Sequence, residues 1–392
     1  EEFRPLQPRT FSSFLLDDLS KCDQQLPDEP ERVQGVLNFA STPLQLESTI
    51  VLGILACWDA YLVLFTMLPV KALTACVMLL VGRRRDLRLG HKDALVRLSV
   101  IVSTVVLLQL YFSYESMFWF FKTQSVLKAA MLFKFLELTD KLFETFGPDI
   151  LYTFLWSTGQ QSWWVLVASY AGSVAYLIVH SLILFTEFVL LNVAANGKMN
   201  TLISLLVTIN FVEFKGQVSK KFNKDSHFEV VCSDSAERFQ LLCFVSLIIM
   251  YSLSTGEETF RALYILLAEY CVDWIKHCFI AKSNDIRSKD FHSYRIRLCK
   301  SLSAPETREV ITEKVASDMG FFPLPLACLI THMTIHLFQV VFPDRWFWML
   351  MLLCVACWVV KIILKYSLVS FSLFYAGGLT AMNSSSTKEK QS

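Results

Sequence analysis

Apolar runs, each near the length that crosses a bilayer, alternate along this chain with short stretches rich in lysine, arginine and acids. A spanning helix needs about 20 mostly apolar residues. Ile50–Leu68 meets that length with one acid, Asp59, near its middle. Pro69 follows, and Val70–Val81 stays apolar apart from Lys71; too short to span alone, it reads as a kinked extension or half of a re-entrant hairpin. Leu98–Phe121 is a second span, with Glu115 toward its end. Trp163–Asn192 carries no formal charge before Glu187 and is long enough to tilt or project. Phe239–Leu253 and Phe260–Ile280 pair around the turn Ser254–Thr259, the second interrupted by Arg261, Glu269, Asp273, Lys276 and His277. Phe321–Phe342 and Trp346–Phe374 form a last hairpin around Pro343-Asp344-Arg345. The pattern predicts an all-α polytopic membrane bundle of six or seven spans over residues 46–376. A polar segment, 1–45, precedes it and a disordered polar tail, 377–392, follows.

Amphipathic helices are expected between the spans. Thr123–Phe146 places Val126, Leu127, Met131, Phe135, Leu138, Leu142 and Phe146 at three- and four-residue steps, with lysines and acids mainly on the other face. Gly147-Pro148 should stop it. Such a helix lies in the membrane interface or packs on the bundle. Thr201–Phe222 starts apolar and ends in Lys220-Lys221, as a helix leaving the bilayer would.

Lysine and arginine in short loops set orientation. Segments 82–97, 196–238 and 281–320 hold six, six and eight of them, whereas 254–259, 343–345 and 122–162 hold none, one and four. The three basic connections are therefore expected in the cytosol, and 122–162 on the lumenal side.

Composition agrees with this pattern. Of 392 residues, 54% are apolar and 18% charged, where soluble domains have about a quarter charged. This excludes disorder, a collagen-like chain and a disulfide scaffold. A formal net charge of +1 gives no reason to expect a nucleic-acid partner. The eleven cysteines fall mostly in apolar runs, where the residue acts as a small hydrophobe. The chain opens on Glu1-Glu2 without an initiator Met, so an upstream tail or targeting segment is expected before it.

No G-x-S-x-G, P-loop, dinucleotide fingerprint or H-E-x-x-H occurs, and only 13 glycines are present. Neither an enzyme nor a cofactor is expected. Three constellations carry chemistry. Glu269, Asp273 and His277 recur at four-residue steps on one helical stripe; either they line a pathway, or Asp273 pairs with Lys276 or His277 and anchors the helix. Cys328, His332 and His336 form a second stripe, facing Cys354 and Cys357 at similar depth across the last hairpin, where a tetrahedral metal site is sterically conceivable. Asp59, Glu115 and Glu187, in three different spans, could together form a proton or cation route.

Several strings keep an order that composition does not require. They are Gln124–Lys128, Leu136-Glu137-Leu138-Thr139-Asp140-Lys141-Leu142-Phe143, Phe146–Leu151, Asn210-Phe211-Val212-Glu213-Phe214-Lys215-Gly216 with Lys220-Lys221-Phe222, Glu237-Arg238-Phe239, Asp273–Ile280 with Asn284-Asp285-Ile286, and Met319–Ala327. Over residues 45 to 375 the chain resembles the transmembrane anterior posterior transformation protein family, also labelled a cytomegalovirus glycoprotein H receptor type family. The resemblance implies a multi-pass endoplasmic reticulum protein. It would work with a SUN-like single-span partner bearing a lumenal domain, in protein folding and quality control and, in animals, in cilium and basal-body formation. A lumenal chaperone is a further implied partner. The family supplies no catalytic residues and no motif containing His332 or His336.

Two of these strings suit a partner. Glu137, Asp140 and Lys141 are expected on an accessible lumenal helix face, and Asn210, Phe211, Glu213 and Lys215 mix aromatic and charged groups at the expected cytosolic surface. The structural alternatives are a solvated face, with Lys141 paired to Glu137, and a plain interface anchor. The reading is a membrane scaffold or adaptor in the lipid bilayer. Its rival is an ion or small-solute transporter using the intramembrane acids.

Overall fold

The computed structural model describes residues 30–82, 89–160, 162–197, 214–216, 220–255, 260–284, 286–303, 315–316 and 318–389. These form eleven helices and no strand: α1 (Pro30–Phe65), α2 (Met67–Leu80), α3 (Leu89–Tyr111), α4 (Tyr114–Lys122), α5 (Val126–Ser157), α6 (Trp163–Ala195), α7 (Lys224–Thr255), α8 (Phe260–Ser283), α9 (Ser288–Leu302), α10 (Pro323–Val341) and α11 (Trp346–Glu389). Among the described residues six stretches are long and apolar enough to cross a membrane: Val36–Leu80, Leu89–Tyr111, Trp163–Ala195, Lys224–Ser254, Pro323–Val341 and Trp346–Tyr375. The all-α polytopic class follows.

Cross-helix contacts give the helix directions. α6 and α10 run the same way, with Tyr176 and His180 against Phe322 and Phe185 against His332. α7 follows them, with Phe239 on Phe321 and Tyr251 on His336. Ser103 meets Tyr170 and Tyr114 meets Phe188, so α3 and α4 also climb alongside α6. α5 runs in the opposite sense, with Phe154 at Tyr170, Phe143 at Tyr176 and Asp140 at His180.

That last placement corrects two expectations. Residues 122–162 are not a connection on one side, because the two ends of α5 lie at opposite ends of α6. Nor does α5 stop at Gly147-Pro148; it continues to Ser157. A Cβ on Gly147 would sit 2.6 Å from the Phe322 ring, so glycine is required there for α5 to touch the chain entering α10. The polar face of α5 also points the unexpected way. Leu127, Met131, Phe135, Leu138, Leu142 and Phe146 are all exposed, while Asp140 is buried. In water this would be inside out. In a bilayer the solvent is hydrocarbon, and the polar face finds its partners inside the bundle.

Residues 196–238 likewise do not form one connection on one side. Arg261 at the start of α8 donates to the Gly197 carbonyl (2.7 Å), whereas Phe222 N–H donates to Asn284, just past the end of α8 (2.8 Å). Gly197 and Phe222 therefore lie at opposite ends of α8.

Other boundaries shift for local reasons. Thr66 (φ −114°, ψ −74°) separates α1 from α2, so Val70–Val81 lies in a displaced extension of the first span that forms a hairpin with α3. The expected span Leu98–Phe121 breaks at the extended Ser113, which leaves Glu115 exposed in the first turn of α4, where the helix dipole favours an acid. Pro323 occupies the first turn of α10, where its missing N–H costs nothing. α1 begins at Pro30, so the expected boundary at 45 falls inside a helix. α11 continues to Glu389, through most of the expected disordered tail; no proline interrupts 376–389.

α1 is central, packing on α7, α8, α9, α10 and α11. Gly53 allows its closest approach to α7, since a Cβ there would meet the Ser235 side chain at 2.6 Å. α9 is polar and tied to α1 by Arg295, which donates to Ser48 (2.5 Å) and Gln45 (2.7 Å). Its Asp290 accepts from Arg287 N–H (2.9 Å) and from Lys224 (2.7 Å). Burial alone would push this carboxyl up, but those donors outweigh it and hold the group below its ordinary value.

Candidate functional site

Helix α7 carries two polar stripes, and each meets a different set of helices. Ser233, Glu237 and Gln240 face α5, α6 and part of α8; His227, Asp234 and Arg238 face α1, α8 and α9. The first stripe closes a cavity, and the second builds a solid network of charges.

The cavity has a volume of about 90 Å³. Six carboxylates line it, Glu137, Asp140, Glu144, Glu187, Glu237 and Glu269, together with Lys134, Lys141 and Gln240. Lys134 pairs with Glu137 (2.7 Å) and Lys141 with Glu237 (2.6 Å), which also accepts from Ser233 (3.0 Å). Gln240 bridges two acids, donating to Asp140 and to Glu187 Oε2, each at 3.3 Å. Glu187 is 2% exposed and its Oε1 has no hydrogen-bond partner. Phe322 N–H donates to Glu144.

The hydrogen bonds around His180 constrain one proton. Tyr176 directs its only hydroxyl hydrogen to the Phe143 carbonyl (2.6 Å), so its oxygen accepts from His180 Nδ1–H (3.0 Å). Nε2 then either donates to Asp140 as part of an imidazolium or accepts from a protonated Asp140 (2.7 Å). Either way the pair is neutral.

In the network, Arg238 (3% exposed side chain) reaches Asp273 at 2.6 Å and Glu47 at 2.7 Å, with its guanidinium over Tyr270. Trp274 also donates to Glu47 (2.6 Å). Lys276, fully buried, bridges Asp273 (2.7 Å) and Asp234 (2.9 Å). A single file of donors is consistent throughout with neutral imidazoles: Tyr294 O–H to His227 Nδ1 (3.2 Å), His227 Nε2–H to His277 Nδ1 (3.0 Å), and His277 Nε2–H to Asp234 (2.6 Å).

The residues singled out from sequence divide accordingly. Of Glu137, Asp140 and Lys141, expected on an open face, Asp140 is buried while Glu137 and Lys141 stay partly exposed, and all three line the cavity with Glu187 and Glu269. The Glu269/Asp273/His277 stripe is split, with Glu269 at the cavity and the other two in the network. Asp59 is far from both sets in role; it pairs with Lys361, fixing α11 to α1, with Lys365 at 3.9 Å. Glu115 is at the surface and joins no shared route with Asp59 and Glu187. Asn210, Phe211 and Glu213 lie outside the described residues, and Lys215 is exposed. The Cys/His hairpin site does not form: His332 packs on Phe185 of α6, His336 bonds Tyr251 of α7, and Cys328 is buried while Cys354 and Cys357 lie half-buried on α11. Among the described residues no group of three His, Cys, Asp or Glu side chains is placed to hold a metal ion.

Sequence reasoning passed over His180, Gln240, Asp234 and Lys361, whereas the expected pairing of Asp273 with Lys276 forms at 2.7 Å. A signal existed for His180, the one titratable side chain before Glu187 between the tyrosines and that acid, and for Lys361, which interrupts an otherwise apolar run.

Residues 87–376, most of the chain, match the eukaryotic membrane protein family. The chain belongs to that family. It is 32% identical over 321 residues to the transmembrane anterior posterior transformation protein 1 homologs of Xenopus laevis and Homo sapiens, covering 76% of this chain and 59% and 57% of theirs. It is 29% identical over 371 residues to endoplasmic reticulum membrane protein 65 of Schizosaccharomyces pombe, covering 83% of this chain and 56% of the relative. The chain thus spans little more than half the length of these relatives. No solved structure matches it.

Proposed function

We propose that this chain is a multi-pass scaffold of the endoplasmic reticulum membrane, holding a single-span partner with a SUN-like lumenal domain for protein folding and quality control. In animals the same complex would serve cilium assembly, and a lumenal chaperone would join it through the partner. One observation carries the reading. In α11 only 6% of the most apolar stretch is buried, against 33–67% in the other five candidate spans. The helix is pinned by Lys361 to Asp59 and by Tyr375 to His292, while Leu352, Val355, Ile362 and Tyr366 stay exposed. A second transmembrane helix could pack along that face without disturbing the bundle. The fission-yeast relative's name supports the compartment. The basic residues Lys220, Lys221, Lys282 and Lys289 cluster at the end holding α9, which supports placing that end in the cytosol. No reaction at the chain's own residues is part of this reading.

Crosslinking in intact membranes, then purification, should recover a single-span protein with a lumenal domain. Val355→Trp and Ile362→Trp should release it while leaving the melting temperature of the bundle unchanged. Recovery of the chain alone, or a partner indifferent to both substitutions, refutes the scaffold reading. A transport reading is favoured by a different observation, the acid-lined cavity with its unpaired Glu187 oxygen. Cation flux into proteoliposomes that Glu187→Gln abolishes would support it.

A further inference from the structure

Six carboxylates and two lysines line the cavity, and Glu187 and Asp140 are the two of those acids that are buried. Glu187 is eight residues, or about 12 Å, from the near end of α6. A carboxylate buried as Glu187 is, sharing Gln240 with the buried Asp140, requires either a proton or a bound cation. Glu187 Oε1 marks the position for it: the side chain is almost fully buried and lines the cavity, and this oxygen has no donor. A chelated metal is disfavoured, because the acids do not converge as a ligand set. The space, about 90 Å³, exceeds what one water needs. Phe133 and Phe244 belong to the same lining, and aromatic residues beside carboxylates suit an alkylammonium, which takes charge-assisted hydrogen bonds at its head and apolar contact at its carbon.

We propose that the cavity between α5, α6, α7 and α8 binds a small primary ammonium group, with Glu187 as its counter-charge. The group comes either from a free amine or from the head of an aminophospholipid; the chemistry is shared and the sources can be told apart. The site requires neither the scaffold partner nor movement of a solute across the membrane, so its test is independent of both readings above.

The test uses the full chain in phosphatidylcholine nanodiscs, with ethanolamine titrated against sodium chloride at constant ionic strength. Melting is followed by tryptophan fluorescence. A saturable rise of about 3–5 °C at a hundredfold excess over Kd is expected. Glu187→Gln should abolish it, and Glu115→Gln, at the surface, should not. A rise without free amine when phosphatidylethanolamine replaces part of the phosphatidylcholine, again lost in Glu187→Gln, assigns the lipid head group. No rise in either arm, or a rise equal in Glu187→Gln, overturns the proposal. A second measurement needs no variant: dicyclohexylcarbodiimide labelling of Glu187, mapped by mass spectrometry. Protection by ethanolamine or by phosphatidylethanolamine supports the site; labelling that neither changes means protons alone fill the charge, and the proposal fails.

Discussion

Replacing Lys276 with methionine tests whether the charge network holds the bundle together. The ammonium lies 2.7 Å from Asp273 and 2.9 Å from Asp234, with no exposed surface. At an effective dielectric of about 20, each contact has a gross attraction of about 6 kcal/mol. Most of that is offset by desolvating the ions, so the measurable quantity is what remains when one partner is deleted, about 3–5 kcal/mol for a buried pair. Asp273 would keep Arg238, but Asp234 would keep only its bond from His277 among the contacts described above. The expected loss at about 2 °C per kcal/mol is roughly 6–10 °C in nanodiscs, read by tryptophan fluorescence on monodisperse protein. The double variant Lys276→Met, Asp234→Asn restores the balance of charge and should recover about 2 kcal/mol of that loss. A single variant melting within about 1 °C of wild type would refute the reasoning. So would a double variant whose loss equals the sum of the two single losses.

Two further outcomes follow from geometry already described. Gly147→Ala should destabilise by about 1–3 kcal/mol, because its Cβ meets the Phe322 ring at 2.6 Å, and Phe322→Leu in the same chain should relieve part of it; thermal melts that leave Gly147→Ala at wild-type stability would contradict the close approach. Asp290 is held below its ordinary range by Lys224 and Arg287 N–H, so its stabilising effect is full above the unfolded value near pH 4 and fades as pH falls through the lower folded value. Asp290→Asn should therefore melt lower than wild type at pH 7, with the gap narrowing toward pH 3; a gap that widens on acidification would reverse the sign.

Helix existence was legible from apolar run length, because a bilayer imposes that length directly. The final hairpin, the α7–α8 pair and the break near Pro69 all came from this rule. What run length cannot encode is the direction in which a polar stripe points. Periodicity placed Glu137, Asp140 and Lys141 on one face of α5 correctly, but the same periodicity describes a helix on water and a helix in lipid, and the inference of an open face assumed water. The partners that settle it, His180 and Gln240, are 40 and 100 residues from Asp140 in sequence. Gly147-Pro148 misled for a related reason: a glycine demanded by Phe322, 175 positions on, has the same local signature as a helix stop. The acids at the cavity were visible individually; their convergence depends on helix rotation, which one sequence does not carry.

The inward polar face of α5 also bears on how the chain is made. Seven charged residues sit in its 32, and a charge at the centre of a lone helix costs about 2.5–3.5 kcal/mol when offered to the membrane-insertion machinery. α5 is therefore a poor candidate for insertion when it first emerges. Its compensating groups arrive later, His180 with α6 and Gln240 with α7, the last of them 100 residues behind Asp140. At about 5–20 residues per second, synthesis leaves α5 without its full set of partners for roughly 5–20 s. During that interval the helix must wait at the membrane surface or be shielded by another protein, and it enters the bundle only as α7 closes over it.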